Sequence, residues 1–154
     1  MIEGLRRIPL ERFEDERGWF LELMRSSGLP KPVRQSNLSY SREGVIRGLH
    51  YHERGQDDLF VCLRGTARVV VLDRTSGETF TEDIGDDNPV AIYVPGVLAH
   101  GYEALTDCLF LYHVTEEYDP DDPDEHGIPW DDPRVIDLWS TRSPILSERD
   151  QAAS

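Results

Sequence analysis

Cysteine is scarce, basic residues are outnumbered, and long apolar runs are missing from this chain of 154 residues. Cys62 and Cys108 are the only two cysteines. Each sits inside an apolar, strand-like run and neither belongs to a C-x-x-C pair, which argues against a disulfide or a catalytic thiol and makes buried free thiols the expectation. No apolar stretch approaches the roughly 18 residues that a membrane-spanning helix needs. The opening residues Met1 to Arg7 lack the apolar core of a signal peptide, which gives the cytoplasm as the expected address. Sixteen basic against thirty acidic residues leave a formal net charge of −14. Such a surface repels polyanions, which excludes nucleic acid and anionic membrane as partners. It also sets a requirement: an anionic substrate must be met by arginines gathered locally in a pocket. Internal repeats, low-complexity linkers and a long amphipathic helix are absent too, and one domain over residues 1–154 is expected.

What is present is a succession of short apolar runs punctuated by turn residues. They include residues 19–23, 44–50, 59–63, 67–72, 90–94 and 108–114, separated by Arg64-Gly65, Thr75-Ser76-Gly77, Asp86 to Pro89 and Pro95-Gly96. Regular short strands with this punctuation predict an all-β sandwich or barrel. The acidic, proline-rich stretch Tyr118 to Glu125 reads as a surface loop, residues 128–139 as an irregular segment returning to the barrel, and Gln151 to Ser154 as a frayed end.

The run Gly48-Leu49-His50-Tyr51-His52, answered later by His100, carries the chemistry. Residues i and i+2 of a strand share a face, so His50 and His52 project together into the interior. A buried imidazole is costly unless it is hydrogen-bonded, metal-bound or catalytic. Two chemistries compete for these residues. One is acid/base catalysis with a free imidazole. The other is metal binding: His50, His52, an acid at Asp57 or Asp58, and His100 approximate a three-histidine, one-carboxylate set, imperfectly, because Glu53 comes too early and Asp58 falls nearer the usual distance.

Seven landmarks in order make the chain resemble the dTDP-4-dehydrorhamnose 3,5-epimerase family, the RmlC-like sugar-nucleotide epimerases of the cupin superfamily. They are Asp15 to Glu22, Gln35-Ser36-Asn37, Gly44 to Tyr51, Tyr93-Val94-Pro95-Gly96 through Ala99 to Tyr102, Phe110-Leu111-Tyr112, Ile128 to Pro133, and Leu146 to Asp150. The resemblance implies a cupin-type jelly-roll β-barrel with a short irregular C-terminal segment, a homodimer, a nucleotide-linked 4-keto-6-deoxyhexose as substrate, and no cofactor or metal. It implies His50 as the base, Asp150 as its partner and Tyr112 as the acid. Substrate-side positions fall on Arg17, Phe20, Glu22, Gln35, Asn37, Arg47 and His100, the first three able to reach a neighbouring subunit's site. Strand alternation sets one conflict, because Arg47 lies an odd number of residues from His50 and faces away from it unless a bulge intervenes. One departure also stands out. Where many members carry a lysine, this chain has Asp58, an anion expected to weaken the hold on an enolate and a diphosphate unless a cation such as Arg54 replaces it. A metal-dependent cupin using His50, His52, Asp58 and His100, and a non-catalytic sugar-nucleotide-binding cupin, are the alternative readings.

Overall fold

The computed structural model describes residues 1–153. Twelve strands account for most of the regular structure: β1 Arg6–Pro9, β2 Phe13–Asp15, β3 Gly18–Phe20, β4 Gln35–Ser41, β5 Ile46–Tyr51, β6 Asp58–Arg64, β7 Thr66–Leu72, β8 Thr79–Gly85, β9 Val90–Val94, β10 Ala99–Ala104, β11 Cys108–Val114 and β12 His126–Gly127. The single α-helix among the described residues, α1, spans Glu148–Ala153. Two five-stranded antiparallel sheets, ordered β1-β9-β6-β11-β4 and β12-β5-β10-β7-β8, form the body, and β2 and β3 make a separate hairpin. The expected all-β jelly-roll architecture is met.

Alternation along the strands divides the side chains between two environments. Inward-facing Phe60, Cys62, Ala67, Val69, Val71, Ile84, Val90, Ile92, Cys108 and Phe110 form an apolar core between the sheets. Both cysteines are buried and free, as their sequence setting predicts. The outer faces are also covered. Residues 128–146 lay Ile128, Val135 and Trp139 over Ile46, Leu49, Val70 and Leu72, while Leu23, Met24 and Leu29 cover Leu59, Val61 and Tyr93.

Three local expectations are corrected. The run at residues 19–23 is strand only as far as Phe20; Leu23 and Met24 instead bury their apolar side chains as cover for the first sheet. Gln151 to Ala153 belong to α1 rather than to a frayed end, and Ser154 lies outside the described residues. The segment around residue 124 is also tied down rather than loose: the Asp124 carboxylate accepts from the backbone N–H groups of Glu53 and Arg54.

The register between β5 and β10 resolves the alternation conflict at Arg47. His50 pairs with His100 and Arg47 with Tyr102, so three steps on β5 oppose two on β10. That bulge returns Arg47 to the face of His50. The strands approach closely here, and glycine on each side permits it. Gly48 has φ +138°, and a Cβ on Gly101 would fall 2.4 Å from the Arg47 carbonyl oxygen and 2.9 Å from the Gly48 Cα. Gly101→Ala is expected to destabilise the protein by about 1 to 3 kcal/mol, because backbone must move rather than a flexible side-chain tip. Urea unfolding at constant m-value checks this.

Candidate active site

A cavity of about 1030 Å³ opens between the sheets at the end where the inward-facing residues turn polar. Its walls carry His50, His52, Asp58, His100, Tyr112, Gln35, Asn37 and Arg47. The expected site residues of the barrel are therefore brought together, with Asp150 and Arg149 added from the C-terminal segment.

The C-terminal segment reaches the cavity by running beside the start of β5. Ile46 N–H donates to the Ile145 carbonyl and Ile145 N–H to the Gly44 carbonyl. Ser147 then caps α1, its Oγ accepting from Asp150 N–H at 3.1 Å. The first turn aims the Asp150 carboxylate at the bulge. One oxygen lies 2.7 Å from His50 Nε2 and the other accepts the Gly48 N–H at 3.2 Å. Burial alone would raise the Asp150 pKa; the His50 hydrogen bond and charge, the Gly48 N–H and Arg149 reverse this and hold it below its ordinary value.

Arg149 Nη2 lies 2.9 Å from the same His50 Nε2, and its other end is paired with Glu125. Nε2 either donates to the carboxylate or accepts from the guanidinium. An ionised Asp150 at 2.7 Å takes the N–H. Nδ1 then carries the lone pair, which makes it the nitrogen able to accept a proton.

Because its folded pKa is depressed, Asp150 contributes stability that is complete above the ordinary value of 3.8 and lost as pH falls through the lowered one. Asp150→Asn is expected to cost about 1 to 3 kcal/mol near neutrality. Its further loss on acidification should be smaller than the wild type's. Urea titrations near neutral pH and below the ordinary carboxylate range test both.

Tyr112 stands on β11 of the facing sheet, opposite Asn37 and Phe60 in register. Burial first, then the charge of Asp58, raises its pKa, so the phenol keeps its proton at neutral pH. The imidazole and the phenol thus stand on opposite walls of one cavity.

The floor is a compensated polar cluster. His100 Nδ1 donates to the Leu98 carbonyl at 2.8 Å and Nε2 lies 3.3 Å from Asp58. Burial pulls the His100 pKa down, but Asp58 overrides it and the net direction is up; Asp58 moves down in turn, burial opposing and His100 prevailing. His52 Nδ1 donates to the Asp124 carbonyl at 2.6 Å, and the Gln56 amide bridges His52 Nε2 at 3.2 Å and Asp58 at 3.0 Å. Burial, then His100, lowers the His52 pKa. Asp58 is therefore not an open anion facing substrate but the counter-charge of His100. Arg54 does not substitute for a lysine; it is held outside the cavity by Asp122 and Asp124. The donor atoms of His52, Asp58 and His100 lie within 4.8 Å of one another and could hold a divalent cation. His50 is not in that group, its Nε2 being turned to Asp150.

Arg17, Phe20 and Glu22 are not brought to this cavity. Arg17 and Phe20 border a separate concavity on the β2–β3 hairpin, Arg17 paired with Asp15, while Glu22 pairs with Arg25. The hairpin shows solvent Phe13, Trp19 and Phe20, the last 64% exposed, a clustering of exposed apolar side chains of the kind that marks an interaction surface. Residues that sequence reasoning passed over are Arg149, Glu125, Gln56, Tyr118 and Tyr102. Adjacency to Asp150 could have flagged Arg149; Glu125 and Tyr118 were hidden in a stretch read only as acidic loop.

Comparison with known proteins places this geometry. The profile described as dTDP-4-dehydrorhamnose 3,5-epimerase matches residues 1–154. The spore coat polysaccharide biosynthesis protein SpsL of Bacillus subtilis (strain 168) is 41% identical over 149 residues, covering 92% of this chain and 98% of that protein. The dTDP-4-dehydrorhamnose 3,5-epimerase of Methanothermobacter thermautotrophicus is 36% identical, covering 97% and 88%. A crystal structure of the dTDP-6-deoxy-D-glucose-3,5-epimerase RmlC from Legionella pneumophila, in complex with dTDP-4-keto-L-rhamnose, superposes with a TM-score of 0.88 at 30% identity, covering 99% of this chain and 87% of that one. With a whole-length profile match and relatives at 41% and 36% identity, the chain belongs to the dTDP-4-dehydrorhamnose 3,5-epimerase family.

Proposed function

We propose that this protein inverts C3, C5 or both of a dTDP-linked 4-keto-6-deoxyhexose by acid/base catalysis. The observation that carries this reading is the His50–Asp150 pair on one wall of the cavity facing the protonated Tyr112 on the other. The C4 ketone acidifies the hydrogens on its neighbouring carbons. His50 Nδ1 takes one of them, an enolate forms, and Tyr112 returns a proton to the opposite face of the same carbon. Asp150 holds the ring with Nε2 protonated and balances the imidazolium that results.

Two arginines answer the charge requirement noted in the sequence, beside the carboxylates of Asp58, Glu116, Glu125 and Asp150 on the same walls. Arg47 and Arg149 both line the cavity of a strongly acidic protein. Arg47 faces the sugar, and Arg149, near the rim beside Glu125, suits the diphosphate. Tyr118, also at the cavity, offers an exposed ring on which a nucleobase can stack.

The protein acts as a homodimer in this reading. The exposed hairpin aromatics need a cover, and a second copy's Arg17, Phe20 and Glu22 would complete the nucleotide side of the site. The test is incubation with a dTDP-4-keto-6-deoxyhexose in deuterated water, following deuterium at C3 and C5 by mass spectrometry. Exchange at either carbon is expected, and it should survive exhaustive chelation. Failure of every such sugar to exchange refutes the epimerase; loss on chelation, restored by a divalent metal, transfers the chemistry to His52, Asp58 and His100.

A further inference from the structure

Tyr102 places a phenol hydroxyl deep between the sheets, 3% exposed, with its ring stacked on Phe110 at 3.8 Å. One partner would satisfy a buried hydroxyl. This one has two, Ser39 Oγ at 2.9 Å and Ser41 Oγ at 2.8 Å. Ser41 Oγ is also 2.8 Å from Arg47 Nε, and Ser39 Oγ is 3.4 Å from the Phe110 carbonyl.

The two ends of this chain set its direction. A guanidinium can only donate and a carbonyl can only accept. Arg47 Nε–H therefore donates to Ser41, Ser41 to Tyr102, Tyr102 to Ser39, and Ser39 to the Phe110 carbonyl, with every hydroxyl accepting once and donating once. The cation at its head polarises the links that follow. Arg47 Nη2 donates as well to the Tyr40 carbonyl at 3.3 Å. Of the five N–H groups of an arginine two are then committed, and three remain for the cavity. Arg47 shares the wall with His50 through the bulge, and its charge is felt by Tyr112. It therefore stands near both the base and the acid.

We propose that Tyr102 is a positioning residue whose hydroxyl, acting through Ser41, holds the Arg47 guanidinium toward the oxygen that gains charge as the enolate forms. This rests on the epimerase reading of the cavity. Removing the phenol oxygen leaves the Ser41 hydroxyl without its acceptor in a buried place; turning to find another withdraws the lone pair from Arg47 Nε.

The test is a double-mutant cycle with a readout on Arg47 itself. Tyr102→Phe keeps the ring stack and should lower kcat about tenfold while KM stays within about twofold, the pattern of an interaction that strengthens in the transition state. In an Arg47→Ala background the same substitution should cost nothing further, and Ser41→Ala should reproduce the effect if Tyr102→Phe folds poorly. Exchange of the Arg47 Nε–H with water, followed by ¹⁵N NMR, should be slow in the wild type and faster in Tyr102→Phe. An equal loss of kcat in both backgrounds overturns the proposal, as does an Nε–H that exchanges alike in wild type and variant. If the wild type turns over no 4-keto sugar nucleotide, the epimerase reading fails by itself, and the Nε–H rates alone decide whether Tyr102 positions Arg47.

Discussion

His50→Ala is expected to lower deuterium incorporation at C3 and C5 by about a thousandfold, within the range that a positioned general base supplies. No neighbour can take over. His52 has its Nδ1 proton on the Asp124 carbonyl and its Nε2 engaged by Gln56. His100 has both nitrogens committed, to Leu98 and Asp58. The carboxyls of Asp58 and Asp150 are held below their ordinary pKa, which makes them weak acceptors. His50→Gln, which keeps a donor near Asp150, should lose as much exchange and less stability. Mass-spectrometric exchange rates together with urea unfolding separate the two effects. Wild-type exchange in His50→Ala would place the base elsewhere.

Tyr112→Phe should split a reaction that His50→Ala abolishes. The base still removes the proton, and solvent deuterium still returns from the base side, so exchange with retained configuration persists. Delivery from the far wall is lost, and net inversion should fall about a hundredfold. The phenylalanine keeps the edge contact with Phe60, whose ring lies 6.4 Å from that of Tyr112, so the fold is not at issue. The measurement is the ratio of exchanged to inverted sugar by NMR. A ratio equal to the wild type's would remove Tyr112 as the acid.

Where apolar side chains face a neighbour, the strands could be read from the residues. Cys108–Val114 has the bounds its apolar run predicts. The strand Gln35–Ser41 was less legible because its polarity is inverted: Gln35 and Asn37 line the polar cavity, Ser39 and Ser41 face the buried Tyr102 hydroxyl, and Leu38 and Tyr40 are exposed. A hydrophobic pattern locates a core, and the walls of a polar cavity look like surface to it. Arg47 shows a second limit. Alternation assumes an unbroken ladder, and the bulge opposite Tyr102 is a property of two strands that neither displays alone. Asp58 shows a third, since an acidic residue read in isolation is an open charge, while its partner His100 is supplied from a strand 42 residues later in the sequence. The His50–Asp150 pairing joins residues 100 apart in sequence and was legible only through the family resemblance.

The short helix that carries Asp150 is attached mainly by polar contacts: Asp150 is its one buried residue, and its hold on the body runs through His50, Gly48, the Arg149–Glu125 pair and the strand-like bonds of Ile145. Elements fastened in this way open locally well before the whole molecule unfolds. The catalyst therefore has two lifetimes. With His50 as the proposed base, tail opening is expected to disarm the imidazole while the sheets stay intact, so heat or a protease should silence the enzyme without melting it, and a ligand that fills the cavity and bridges both walls should close that gap. Amide protection at Asp150 and Gln151 should follow activity, and protection at Val70 should follow the melting of the sheets.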